Sequence, residues 1–183
     1  MLLNQTQVEW CGIRRPGSSV TLGVTHLDRG YFFESFAWMD KTAALEHYRK
    51  RIDKPAVPDE SCILLEEARG FRLCIYQPGV EVVPYEQALK TICDTMRGSG
   101  KLGISDRRWG LRVFKKSFVG AEAVTWLADY LHLSRPEALA LGQECLKRGL
   151  FSHVLGEQDF ADDFFFYRFS EDGGSEGRLV SIS

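Results

Sequence analysis

The sequence predicts an α+β protein built from two small domains. Apolar residues alternate as in strands before residue 80, and amphipathic helical spacing occurs on both sides of that point. The length of 183 residues is close to the size at which one domain becomes two. Hydrophobic residues make up 44% and charged residues 26% of the chain, as in ordinary globular proteins. This composition excludes membrane-spanning, collagenous, disulfide-scaffold and wholly disordered proteins.

The first domain is expected to begin with a hairpin followed by a helix. Apolar residues alternate over 19–39, and the segment 27–30 interrupts them with Gly30, which suits the positive φ of a tight turn. Residues 41–52 then place apolar side chains at i, i+3 and i+7, the spacing of a short amphipathic helix. Asp40 or Thr42 is the expected cap.

A second hairpin is expected after this helix. Two apolar runs of strand length, 61–67 and 71–76, flank a turn that contains Gly70. We therefore predict a ββαββ order over 15–78, closed by Pro78-Gly79, within a domain that spans 1–82. This half resembles no family that we recognise. Its aromatic residues suffice for a core or for an interface, and they include Trp10, Phe32, Phe36 and Trp38.

The second domain shows a helix, a two-stranded arm, two helices and a closing pair of strands. Helical spacing covers 84–96, and the basic window that follows contains two short strand-like runs. A capping box at Ser134 and Glu137 opens the last helix, and Gly149 suits the position after its end. The remaining elements are a helix over 120–131 and strands over 151–155 and 164–169.

This element order, together with several linked motifs, resembles the DEP domain over about 88–169. The arm carries Asp106-Arg107-Arg108-Trp109 followed by Leu111, and the central motif reads Phe118-x-Gly120-x-Glu122-x-Val124-x-Trp126-Leu127. Later matches are Ser134-Arg135, Glu137-Ala138, Gly142-Gln143, Leu146, Gly149-Leu150, His153-Val154, Phe160-x-Asp162 and Tyr167-Arg168-Phe169. Pro136 stands where the family more often has an acidic residue.

The resemblance implies a DEP domain over 84–170, with a winged-helix-like three-helix core, a β-hairpin arm and a C-terminal β-hairpin. It implies structural roles in that core for Trp109, Phe118, Gly120, Val124, Trp126, Leu127, Gly149, Tyr167 and Phe169. We expect His153 to be a structural histidine, since no second ligand stands at metal spacing. The acidic, Gly-rich tail 171–183 is expected to be disordered.

The charge is unevenly distributed along the chain. The formal net charge is only −2, but residues 101–154 carry 9 basic and 5 acidic side chains, and residues 155–183 carry 2 and 7. Basic side chains on an exposed arm attract lipid phosphates, although they also occur on ordinary solvated surfaces. The candidates for contact with a membrane or a partner are Arg107, Arg108, Arg112, Lys115, Lys116, Lys147 and Arg148.

These features predict a non-enzymatic signalling or adaptor protein. The resemblance implies association of the DEP domain with a protein partner or with an anionic phospholipid surface. The odd count of five cysteines without CxxC spacing, and the lack of a signal-like start, favour a cytoplasmic protein, peripheral at the inner membrane surface. Alternatives are a winged-helix-like regulator that binds nucleic acid through 135–148, or an enzyme or ligand sensor in the first domain. Self-association of that domain stays open.

Two short motifs match known functional patterns but lack the neighbouring elements or residues that the corresponding chemistry needs. Gly98-x-Gly100-x-x-Gly103 matches a dinucleotide fingerprint, but a helix precedes it and a strand follows. Gly173-x-Ser175-x-Gly177 matches a nucleophile elbow, but no histidine follows it. Cysteines and histidines are scattered, so we expect no catalytic residues, no cofactor and no metal. The three cations of 135–148 are a weak footprint for nucleic acid.

Overall fold

The fold is described from a computed structural model, for residues 1–34, 40–53, 61–68 and 70–173. The chain forms two compact units. The first contains Met1–Ile92 and the short segment Leu131–Ser134, and the second contains Cys93–Tyr130 and the residues from Arg135 onward. Helices and strands occur in both, so the α+β class is confirmed. Within the described ranges, none of the helices combines the length and the hydropathy needed to cross a bilayer.

The first unit is built on a seven-stranded sheet with the order β1-β5-β6-β4-β3-β2-β7. Only β1 and β5 pair in parallel; the other neighbours are antiparallel. The strands are β1 Leu2–Asn4, β2 Glu9–Arg14, β3 Val20–His26, β4 Arg29–Phe33, β5 Cys62–Glu67, β6 Gly70–Tyr76 and β7 Glu81–Val83. The predicted ββαββ order over 15–78 is confirmed, but β1, β2 and β7 extend the sheet beyond it. Pro78-Gly79 therefore does not close the sheet.

The two faces of this sheet are covered by different helices. The helix α1, Lys41–Ile52, packs Ala44 against Leu64 and Phe71, which lie on the face that also carries Ile75. Gly12 lies on the opposite face, next to the first turns of α2, Tyr85–Gly98. A Cβ on Gly12 would lie 2.6 Å from Cβ of Ala88, so only glycine permits this approach.

The first hairpin is confirmed, but Gly30 does not supply the positive φ of its turn. The turn residues are Leu27 and Asp28, with φ of +47° and +60°, as a two-residue type I′ turn requires. Gly30 lies inside β4, where a Cβ would meet side-chain carbons of Ile13 and Val82 at 2.7 Å. The glycine is thus explained by packing rather than by the turn. Phe36 and Trp38 lie outside the described residues.

The second unit contains a four-stranded sheet and three helical segments. Its sheet has the order β10-β11-β9-β8, with all neighbours antiparallel. The strands are β8 Ser105–Trp109, β9 Arg112–Val119, β10 Phe151–His153 and β11 Phe166–Phe169. The helical segments are the end of α2, the helix α3 Gly120–Leu131 and the helix α4 Arg135–Lys147. These elements follow the predicted order.

The core of the second unit is a cluster of aromatic rings. Phe118 is fully buried, and its ring centre lies 4.7 Å from that of Phe169, 5.4 Å from that of Phe151 and 5.9 Å from that of Tyr167. The predicted core residues Val124, Trp126 and Leu127 are also buried. Two glycines make room for this packing: a Cβ on Gly142 would lie 2.0 Å from the ring of Phe160, and one on Gly120 would lie 2.3 Å from the carbonyl oxygen of Ala161.

The assignment of Trp109 to the core is wrong, because its side chain is 66% exposed. β11 pairs with β9 only at Val119 and Phe118, at the far end of the arm from Trp109. The arm therefore extends past its pairing with β11, and Trp109 lies beside the buried ring of Phe166, 6.4 Å between ring centres, with most of its own surface exposed.

Local sequence signals set two helix ends as predicted. Asp40 caps α1 by accepting a hydrogen bond from the backbone N–H of Ala43 at 2.9 Å. After α4, Gly149 has φ of +71°, and the N–H of Leu150 donates to the carbonyl of Cys145 at 3.0 Å. The N–H of Gly149 also donates to the carbonyl of Leu146, which completes a Schellman motif.

The start of the predicted tail is ordered. Ser170–Asp172 forms a 3-10 turn, and Arg97 donates to both carboxylate oxygens of Asp172 at 2.7 and 2.9 Å. Disorder was therefore the wrong expectation for Glu171 and Asp172. The rest of the tail from 174, with most of the Gly-x-Ser-x-Gly motif, lies outside the described residues.

Candidate functional site: the tip of the basic arm

The arm is a long two-stranded hairpin that ends in a two-residue turn. Trp109 pairs with Arg112, and Gly110 and Leu111 connect them. Gly110 has φ of +59°, and glycine at the first position of a two-residue loop is typical of a type II′ turn. The turn thus projects Leu111 at the apex, where it is 94% exposed.

Exposed apolar side chains gather at this end of the arm. Besides Leu111 and Trp109, Val113 is 57% exposed and Phe164 is 59% exposed. The ring centres of Trp109 and Phe164 lie 6.4 Å apart. We call these four side chains, with the flanking Arg108, Arg112 and Lys115, the arm tip. Exposed apolar groups concentrated in one place indicate a contact surface rather than chance exposure.

Three predicted cations of the arm tip face solvent. Arg108, Arg112 and Lys115 are exposed, and none of them lies within ion-pair distance of a carboxylate in the described part of the chain. Arg108 donates from Nε to the carbonyl of Gly110 at 3.2 Å, a contact within the hairpin that leaves its charge uncompensated. These three charges are available to an anionic partner.

Arg107 is committed to contacts inside its own domain. It donates to the carbonyls of Gly103 and Ser117, and its Nη2 lies 3.3 Å from a carboxylate oxygen of Glu122. Its guanidinium carbon also lies 5.7 Å from the ring centre of Phe166. Arg107 thus ties the arm to α3 and lies outside the arm tip.

Lys116, like Arg107, makes contacts within its own domain, and it lies at a bulge in the arm. The pairing of β8 with β9 shifts between Ser105 and Arg107, and Lys116 has φ of +47°. Its backbone N–H donates to Asp106 at 3.0 Å, and its Nζ lies 3.5 Å from Asp172. Its charge is therefore partly neutralised, unlike the charges at the tip.

The cations in and next to α4 differ in the contacts that they make. Arg148 lies 2.7 Å from Glu144 in an i,i+4 ion pair. Arg135 makes a bidentate contact with Asp162 and donates to the hydroxyl of Thr125 at 3.0 Å. Lys147 remains exposed in the last turn. With Arg135 and Arg148 engaged, α4 offers little positive charge to a nucleic-acid backbone.

Sequence reasoning found the charged half of the arm tip and missed its apolar half. The family motif places Trp109 and Leu111 beside each other, but a strand pattern does not reveal where a hairpin outruns its sheet. Phe164 lies more than fifty residues away in the sequence. The available signal was the glycine of the tight turn, since it marks Leu111 as an apex residue.

The thiols have environments that oppose reactivity. All five cysteines are free and buried. Burial raises the pKa of the Cys11 thiol to about 12. A hydrogen bond with Cys145, together with burial, raises the pKa of Cys93. Among the described residues, no group of three or more His, Cys, Asp or Glu side chains is placed to hold a metal ion.

Each unit also has an open cavity. In the first unit a cavity of about 470 Å³ is lined by residues that include Phe32, Arg15 and Arg51, and Arg51 donates to Glu34 at 2.7 Å. In the second unit a groove of about 370 Å³ runs along α3 beside Trp126 and Asp129. Both are partly open to solvent.

Comparison with known families identifies the second unit. The family model described as "Domain found in Dishevelled, Egl-10, and Pleckstrin (DEP)" matches residues 101–169. This stretch contains the arm, α3, α4 and the closing strands β10 and β11. The prediction of a DEP domain is confirmed.

Curated relatives match a larger part of the chain. The vacuolar membrane-associated protein IML1 of Saccharomyces cerevisiae is 38% identical over 76 residues, which cover 40% of this chain and 5% of the relative. The Schizosaccharomyces pombe protein of the same name is 37% identical over 86 residues, 46% of this chain and 6% of the relative. The Candida albicans protein of the same name is 31% identical over 117 residues, which cover 60% of this chain and 8% of the relative. The chain thus spans less than a tenth of the length of these relatives.

Proposed function

Residues 101–169 form a DEP domain, and from that premise we propose that this chain is a signalling module that docks peripherally on an anionic membrane surface. The observation that carries the proposal is the arm tip, where three uncompensated cations flank exposed apolar side chains. Each cation near an anionic bilayer contributes about 1 kcal/mol, reduced by salt. Arg108, Arg112 and Lys115 together therefore supply useful but reversible attraction.

The relatives add a cellular setting to this proposal. Their names describe them as vacuolar membrane-associated proteins. We propose that this chain likewise acts at a membrane of the vacuolar type, rather than staying in the cytoplasm or at the inner face of the cell membrane.

We further propose that the chain is non-enzymatic and acts as an adaptor. The raised pKa of Cys11 and Cys93 removes two potential nucleophiles, since a thiol must ionise to attack. In the cavity of the first unit, Arg51 and Glu34 pair with each other at 2.7 Å, as in a structural ion pair. Binding through the arm tip requires no catalytic group.

The test is co-sedimentation of the full chain with phosphatidylcholine vesicles, with and without phosphatidylserine. The variant Arg108→Glu/Arg112→Glu should bind the anionic vesicles about 30-fold more weakly or worse, because two attractive charges become repulsive. The matched control is Lys90→Glu/Lys101→Glu, which changes the net charge equally at exposed cations outside the arm tip. The control should retain binding. Equal losses in both variants, or unchanged binding in the first, would refute the proposal.

A further inference from the structure

The apex of the arm is the most exposed apolar point of the described chain. Leu111 is 94% exposed, more than any other large apolar side chain in these ranges, and the adjacent Trp109 is 66% exposed. A leucine side chain that stays exposed gains nothing on folding, whereas its burial on binding is favourable. A concentration of such exposed apolar side chains therefore indicates a binding surface.

The aromatic side chains beside the apex are held in place rather than loose. Phe166 is buried, and its ring centre lies 6.1 Å from that of Phe114 below it. The exposed rings of Trp109 and Phe164 lie 6.4 and 5.3 Å from the ring of Phe166. Their outer edges thus project from a fixed support, which lowers the conformational entropy lost on binding.

The chemistry around the apex favours a lipid bilayer as the occupant. Trp109 combines an apolar ring with a polar N–H, the combination that is enriched at the boundary between headgroups and acyl chains. Arg112 pairs with Trp109, and Arg108 pairs with Val113, so a cation stands beside each exposed apolar residue of the strands. Such side chains extend toward headgroups while their stems lie on apolar surface.

We propose that the apex inserts into the membrane, with Leu111, Trp109 and Phe164 entering the boundary between headgroups and acyl chains while Arg108 and Arg112 bind lipid phosphates. This inference rests on the proposed function, but it adds a depth and an orientation that charge alone does not give. The depth is about 5–10 Å, as for other interfacial apolar segments. Binding accordingly has an apolar part that survives high salt.

Insertion is tested with a fluorescent reporter at the apex. The variant Leu111→Cys carries the environment-sensitive fluorophore NBD, and labelling is selective because all five native cysteines are buried. On anionic vesicles the emission of this label should shift to the blue, and lipids with a nitroxide high in the acyl chain should quench it. The control is Asp129→Cys, exposed on α3 outside the arm tip, whose label should stay in water.

An unlabelled variant supplies an independent measurement. Leu111→Ser should bind anionic vesicles about tenfold more weakly, from the transfer free energy of one leucine side chain, with its salt dependence unchanged. If binding still requires Arg108 and Arg112 but the label stays in water and Leu111→Ser binds normally, insertion is wrong and charge-driven docking stands. If the wild-type chain binds no vesicles, both the membrane docking and the insertion are wrong. The arm tip would then bind an apolar groove of a partner protein instead.

Discussion

The aromatic core of the DEP domain and its arm tip use the same kinds of residue in opposite environments. Phe118 is fully buried among three other rings, whereas Phe164 is 59% exposed and lies near the rings of Trp109 and Phe166. The core rings stabilise the fold by leaving water. The tip rings contribute little in this way, so their presence is better explained by binding. The comparison predicts that the two sets respond differently to truncation.

The largest effect is expected from truncation in the core. Phe118→Ala should lower the free energy of unfolding of the DEP domain by about 3–5 kcal/mol, because it removes a large buried side chain and leaves a cavity. The measurement is urea unfolding of the full chain, followed through amide signals of α3 and α4. Phe118→Leu is the control that fills part of the space and should lose less. A loss below about 1 kcal/mol for the alanine variant would show that the ring cluster is not what holds the domain together.

His153 lies at the border between the core and the exposed surface and should give an intermediate effect. Its ring contacts the buried Tyr167 and the partly exposed Phe165, and its Nδ1 accepts from the N–H groups of Leu155 and Glu157, each at 3.4 Å. Burial lowers its pKa, with the Glu157 carboxylate opposing that shift. The neutral form is thus favoured in the folded state.

The sign of the pH dependence follows from this direction. The unfolded chain takes up a proton near the ordinary histidine pKa of about 6.5, before the folded chain does. Stability of the DEP domain should therefore fall as pH drops through that value, and level off below the lowered folded pKa. The slope should vanish in His153→Gln and persist in His47→Gln, which changes an exposed residue of the first unit. A slope that survives in His153→Gln would assign it to another group.

The same contrast explains what the sequence could predict. Asp40 and Gly149 determine hydrogen bonds between residues that are at most five positions apart in the sequence. The helix cap and the Schellman motif could therefore be predicted from the local sequence. β1 and β7 were missed because each is a three-residue strand whose existence depends on a distant partner. The DEP domain was readable because its motifs are linked over a long stretch.

The sequence predicted which residue types form the site, but not which charges are paired or which side chains are exposed. Arg107 and Arg108 are neighbours with the same charge, but only Arg107 lies close to Glu122, fifteen residues on. Which arginine stays free depends on the bulge in the arm and on the face of each strand position. Trp109 was misplaced for the same reason, since its exposure depends on where β11 stops pairing with β9.

The smallest effect on stability is expected at the apex itself. Leu111→Ser should change the free energy of unfolding by less than about 0.5 kcal/mol, because a side chain that is 94% exposed has almost no burial to lose. The measurement is the same urea titration as for Phe118→Ala, which makes that variant the matched contrast. The turn of the arm depends on Gly110, whose φ is +59°, and the substitution of Leu111 does not change that residue. A loss above about 1 kcal/mol would mean that Leu111 packs on part of the protein in solution, and the arm tip would then belong to the fold rather than to a binding surface.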